Sequence, residues 1–154
     1  MTRLAAASRM TVSGSSGPLD VRCVIRQAYL TMIIRSEDAP IFSQGGTTAT
    51  GYASPSRGAR SLSVWRIALT PGESSPQHTL SHEEVFLVLE GSATATVGAT
   101  DETIGAGDCL IVPPDMPFTL RAGRDGFGAV CAMVAGAQAT IVPGGPTLTP
   151  PWAS

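Results

Sequence analysis

The chain has no lysine and no asparagine among its 154 residues. Without lysine, Schiff-base chemistry is excluded, and all ten basic residues are arginine. Histidine is nearly as scarce: His78 and His82 are the only two, so a site that needs three imidazoles is excluded by counting. Charge of either sign is thin, at 14% of residues with a formal net charge of -2. That balance gives no electrostatic pull toward nucleic acid or an acidic membrane surface, and neither is an expected partner. No apolar run approaches the roughly 18 residues that span a bilayer. Leu4-Ala5-Ala6-Ala7 is too short for the apolar region of a secretory signal, so a cytoplasmic location is the expectation. The three cysteines, Cys23, Cys109 and Cys131, are odd in number and lack paired spacing, which excludes a disulfide framework. Cys109 and Cys131 each sit in an apolar run and read as buried, reduced thiols.

Helical periodicity is missing as well. Every window of helix length holds a breaker or lacks an apolar stripe at 3.6-residue spacing. What is present is a series of short apolar stretches separated by glycine and proline, the pattern of an all-β chain. Strands are expected at 33–35, 47–52, 61–69, 75–80, 85–89, 92–97, 109–112, 118–121, 127–134 and 139–142. Turns are expected at Pro71-Gly72, Glu90-Gly91, Gly105-Ala106-Gly107-Asp108 and Gly123-Arg124-Asp125-Gly126. At this length one domain is expected, with 43% apolar residues to fill its core. Residues 1–31 contain Ser13-Gly14-Ser15-Ser16-Gly17-Pro18 and read as a disordered or non-native leader. Residues 32–142 read as a β-barrel, and 143–154 as a Pro/Gly-rich surface tail that Trp152 pins down or extends to a second subunit.

Both histidines fall in the stretch from Gly72 to Gly91, which also carries Glu83 and Glu84. Alternate residues of a strand share a face, so His78 pairs with Leu80, and Glu84 with Phe86 and Val88. An ionised carboxylate buried without a partner costs several kcal/mol, on the order of a whole domain's margin. An interior Glu84 must therefore be protonated, paired, hydrogen-bonded or metal-bound. Trp65 reads as core or interface, Met133 as core, Arg57 and Arg60 as solvated loop residues, and Glu83 and Glu90 as solvent-facing.

These residues resemble the cupins, small double-stranded β-helix barrels of the jelly-roll type. The first cupin motif, G-x5-H-x-H-x3,4-E-x6-G, is met in spacing by Gly72, His78, Leu80, Glu84 and Gly91. The second, G-x5-P-x-G-x2-H-x3-N, is met by Gly107 and Pro113, after which Asp115, Phe118 and Ala122 stand at the Gly, His and Asn places. In metal-binding cupins the ligands are the two first-motif histidines, the glutamate and the second-motif histidine. Only His78 and Glu84 keep those places here; Leu80 and Phe118 are apolar.

The resemblance implies a barrel cavity around His78 and Glu84, walled by Leu80, Phe86 and Phe118, that takes a small organic ligand with little or no metal. His78 and Glu84 form a candidate acid/base pair in that cavity. His82 reads as an outward turn residue. The alternative turns it inward, completing a His78, His82, Glu84 set for a single divalent metal (Fe, Mn, Ni or Zn). That alternative is a metal-dependent enzyme of dioxygenase, isomerase or cyclase type, and a third possibility is a scaffold without chemistry. Because cupins commonly pair through sheet faces, the resemblance also implies a homodimer.

Overall fold

Ten strands and two short 3-10 turns make up the regular structure of residues 32–154, the part of the chain that the computed structural model describes. The expected leader at 1–31 lies outside the described residues. The strands are β1 Ile41–Gln44, β2 Thr47–Ala53, β3 Leu62–Leu69, β4 His78–Leu80, β5 Glu84–Val97, β6 Thr100–Gly105, β7 Cys109–Val112, β8 Phe118–Val134, β9 Ala139–Ile141 and β10 Thr147–Leu148. The 3-10 turns are Ser36–Asp38 and Pro55–Arg57.

The two long strands organise everything else. β5 and β8 run antiparallel along their whole lengths, from Glu84 opposite Met133 to Val97 opposite Phe118. The outer edge of β5 is taken by β7 near its start and β6 near its end. The outer edge of β8 is taken by β3 along Phe127 to Val134, with β4 beside Phe118. β2 and β1 extend the sheet beyond β3, and β9 and β10 extend it beyond β4. The all-β chain thus curls into the jelly-roll barrel that the sequence pattern implies.

Two expected strand pairs are fused here. The sequence places turns at Glu90-Gly91 and Gly123–Gly126, yet β5 and β8 pass straight through them. Bulges absorb the bend instead, with register shifts between Val88 and Glu90 and between Gly91 and Ala93. Gly91 has φ 67°, and a Cβ there would lie 2.1 Å from the Gly126 carbonyl oxygen, so only glycine lets the strands cross this closely. The segment 33–35 is not a strand; it leads into the first 3-10 turn. β1, β6 and β10 escape a hydrophobic reading because they are largely exposed edge strands, with Ile104 the one buried residue among them.

Alternation decides the core. Glu84, Phe86 and Val88 of β5 face in while Leu87 and Leu89 face out. On β8, Phe127, Ala129, Cys131 and Met133 are buried, and on β3 Ser63 and Trp65. Cys131 is buried as expected, but Cys109 is exposed. Val112 sets the parity of β7, which turns Cys109 and Ile111 outward.

The last residues are docked rather than loose. Ser63 Oγ donates to the Ala153 carbonyl at 2.7 Å, and Arg57 Nη2 donates to the Trp152 carbonyl at 2.5 Å. Ala153 is fully buried, and the Trp152 ring packs 6.2 Å from Phe42. Arg57, expected to be a solvated loop residue, is part of this clamp.

Candidate functional site

The turn between β4 and β5 determines which candidate side chains enter the barrel. Ser81 fixes it: its N–H donates to the Gln138 carbonyl at 2.9 Å, and its Oγ accepts the Gln138 N–H at 2.8 Å. With Oγ already accepting, the hydroxyl proton is free for His82 Nδ1, 3.0 Å away. His82 is exposed. Two residues on, past the exposed Glu83, Glu84 enters the barrel, 4% exposed and opposite Val112 and Met133.

Burial pushes the Glu84 carboxyl up to about 8 from its ordinary 4.5. Among the described residues, no hydrogen bond or ion pair engages that carboxyl. It is not one of the fully enclosed unpartnered atoms, which are Arg57 Nε, Arg66 Nε and Trp152 Nε1, so a sliver of its surface stays open. Cys131 shares the interior. Its thiol is raised well above the usual range, first by burial and then by the Glu84 charge, with a backbone hydrogen bond at Ile67 opposing.

His78, half-buried at the start of β4, behaves oppositely. Burial lowers its pKa, and the hydrogen bond to the Pro76 carbonyl works against that. Nδ1 lies 2.8 Å from that oxygen. A carbonyl only accepts, so Nδ1 carries the hydrogen and Nε2 keeps a free lone pair.

The imidazole lies against Phe118, ring centroids 4.2 Å apart and tilted by 48°. Phe118, 1% exposed, meets Phe86 edge-on at 5.8 Å. Leu80 is buried beside Ala139. The structure therefore packs Phe118 against both His78 and Phe86, with Glu84 two residues before Phe86 on the same inward face of β5. It does not bring His82 to them.

This donor set does not fit a divalent metal. Among the described residues no three His, Cys, Asp or Glu side chains gather. Leu80 and Phe118 offer only carbon at two family ligand places, which leaves one imidazole and one carboxyl.

Two residues that the sequence names without a part in the site matter to it. Cys131 lies opposite Phe86 only because of the β5–β8 register, which no local pattern discloses. Asp115 has φ 60° and donates its N–H to the Leu80 carbonyl at 2.8 Å. Its position at the motif's glycine place was the available signal, since a left-handed residue there favours glycine. Gly72, Gly91 and Gly107, the motif glycines, all have positive φ as well.

The cupin domain family matches residues 65–135, which hold most of β3 and all of β4 to β8. Auxin-binding protein 5 of Zea mays is 32% identical over 96 residues, covering 62% of this chain and 60% of that protein, so the chain spans about three-fifths of that relative's length. An RmlC-like cupin from Shewanella frigidimarina superposes with TM-score 0.61 at 19% identity, over 70% of this chain and 93% of that one. The polyketide cyclase RemF from Streptomyces resistomycificus gives TM-score 0.64 at 19% identity, over 74% and 87%. At such identities the structures speak for the fold alone.

Proposed function

The chain carries a cupin domain, and from that premise we propose that it binds a small organic molecule inside the barrel, at Glu84 and His78, without a metal. One observation carries the reading: the two missing ligand places hold buried Leu80 and Phe118, while Glu84 stays interior with no partner among the described residues. Two lost donors remove the metal's seat and enlarge the apolar wall. Sites for small molecules are mostly apolar with a few placed polar groups, which is the balance here. The likeness to a protein named for auxin binding supports a small-molecule ligand.

A second reading stands on the opposite shifts of the two titratable groups. Glu84 is pushed up and His78 down, so near neutral pH the first is an acid and the second a base. On a bound molecule such a pair moves a proton. The readings separate cleanly: proton transfer predicts turnover abolished in Glu84→Gln and His78→Ala, while pure binding predicts none in the parent protein.

Thermal-shift screening across acids, alcohols, amines and aromatic metabolites tests the proposal, because a ligand bound only by the native state raises the melting temperature. The expected result is a hit weakened by Phe118→Ala. Uniform silence across a varied library would leave the barrel a scaffold.

We also propose that two copies pair through the outer sheet face. Leu62 (53% exposed), Ile111 (56% exposed), Leu87 and Leu89 lie bare on one side of β3, β5 and β7. A shallow groove of about 490 Å³ runs among Leu62, His82, Val85 and Val134 on the same side. Monomers rarely leave contiguous apolar patches beyond a few hundred Å² uncovered, and a self-matching patch suits a twofold contact. An exposed free Cys109 suits the reducing cytoplasm that this reading assumes. No helix among the described residues is long and apolar enough to cross a membrane.

A further inference from the structure

Glu84 sits in the barrel as a buried carboxyl with no partner among the described residues. In a metal-binding cupin the glutamate at this place faces a cation; here the other donors that would hold one are carbon. Among the described residues no side chain replaces it. Arg66 is taken by Glu90 on the outer surface, and Arg121 and Arg124 of β8 are exposed. The titratable group that approaches from a neighbouring strand is the Cys131 thiol of β8, and it brings no positive charge. The remaining polar features are electron-rich: a bare lone pair on His78 Nε2 and the ring faces of Phe118 and Phe86.

We propose that the missing cation arrives with the ligand, so that the barrel selects small molecules carrying a primary or secondary ammonium group on an apolar or aromatic body. This rests on the reading of the barrel as a small-molecule site. The ammonium N–H groups donate to the Glu84 carboxylate. The apolar body lies against Phe118, Phe86 and Leu80, where aromatic faces add attraction for the positive charge. Where Glu84 holds a proton beforehand, the ammonium displaces it into solvent. A carboxylate ligand meets the reverse situation: it brings a negative charge beside the Glu84 carboxyl, where none of the described arginines faces it.

Three probes of nearly equal shape decide the matter by calorimetric titration of the full chain: 2-phenylethylamine, 2-phenylethanol and phenylacetate. The expected order is amine tightest, by at least about tenfold over the alcohol, as for a hydrogen bond to a charged group, with the acid weakest. In Glu84→Gln, whose fold is checked by its melting curve, the amine should fall to the affinity of the alcohol. If the variant does not fold, the order of the three probes on the parent protein still decides. Binding of the alcohol or the acid without preference for the amine, or a preference that survives Glu84→Gln, overturns this inference and leaves the ligand site standing. Failure of all three probes and of a broad library overturns the ligand site itself, and this inference with it.

Discussion

Glu84 is the residue on which the account turns, and its burial has a thermodynamic consequence. Its carboxyl ionises near 8 when folded and near 4.5 otherwise. Between those values the folded state holds a proton that the unfolded state has lost, so stability falls as pH rises. The contribution is fully present below about pH 4.5 and is gone above about 8. Glu84→Gln removes the titration. Urea denaturation should find the variant close to the parent at pH 4.5 and more stable by a few kcal/mol, as an order of magnitude, at pH 8.5. A parent whose stability is flat over that range would contradict a buried, unpartnered acid. Asp115 offers a backbone test. At φ 60° a residue with Cβ is strained, and Asp tolerates this better than most. Asp115→Gly should be neutral or stabilising by up to about 1 kcal/mol, whereas Asp115→Val should destabilise by more than that. Equal melting temperatures for the two variants would remove backbone strain as the reason for the motif's glycine.

Among the elements, β4, β5 and β8 build the site, and they were unequally legible. The alternation that turns Glu84, Phe86 and Val88 inward was readable from the run itself, because strand period is a local property. The placement of His82 outside follows from Ser81 and Gln138, which are 57 positions apart, and no local pattern foretells that bond. Gly91 and Gly126 were read as turns since glycine signals a turn and a bulge alike; only the close crossing of β5 and β8 separates the two. The C-terminal segment shows the same limit. Its Pro and Gly content argues for a surface tail, yet Ser63, near the start of β3, reaches 90 positions along the chain to hold Ala153. Ser63→Ala would leave the buried carbonyl of Ala153 without that donor, at a cost of about 1–3 kcal/mol. Denaturation curves should show that loss, and limited proteolysis should cut the C-terminal segment sooner. Unchanged curves and unchanged cleavage would mean that the segment is held by apolar packing of Trp152 and Ala153 alone.

At the scale of the whole molecule, the cupin barrel was legible because its motif glycines and spacings record backbone demands. The wall residues were legible because their strands alternate. The pairing register was not, and with it went the Cys131 neighbour of Glu84; the outward turn of Cys109 was missed because its apolar run does not say which of its two faces is the inner one. That outward turn belongs to the bare apolar face, whose covering by a second copy has a direct check. Light scattering on gel-filtered protein should give twice the chain mass, and Ile111→Asp or Leu87→Asp should shift it to one. A monomeric parent protein would refute the pairing.

What we propose is the exchange, in this jelly-roll barrel, of a metal for an organic ligand. Its most direct test is elemental analysis of tag-free protein purified without chelator. The account predicts iron, manganese, nickel and zinc all far below one equivalent, and no uptake on reloading. Near-stoichiometric retention of any one of them, lost in His78→Ala, would contradict it.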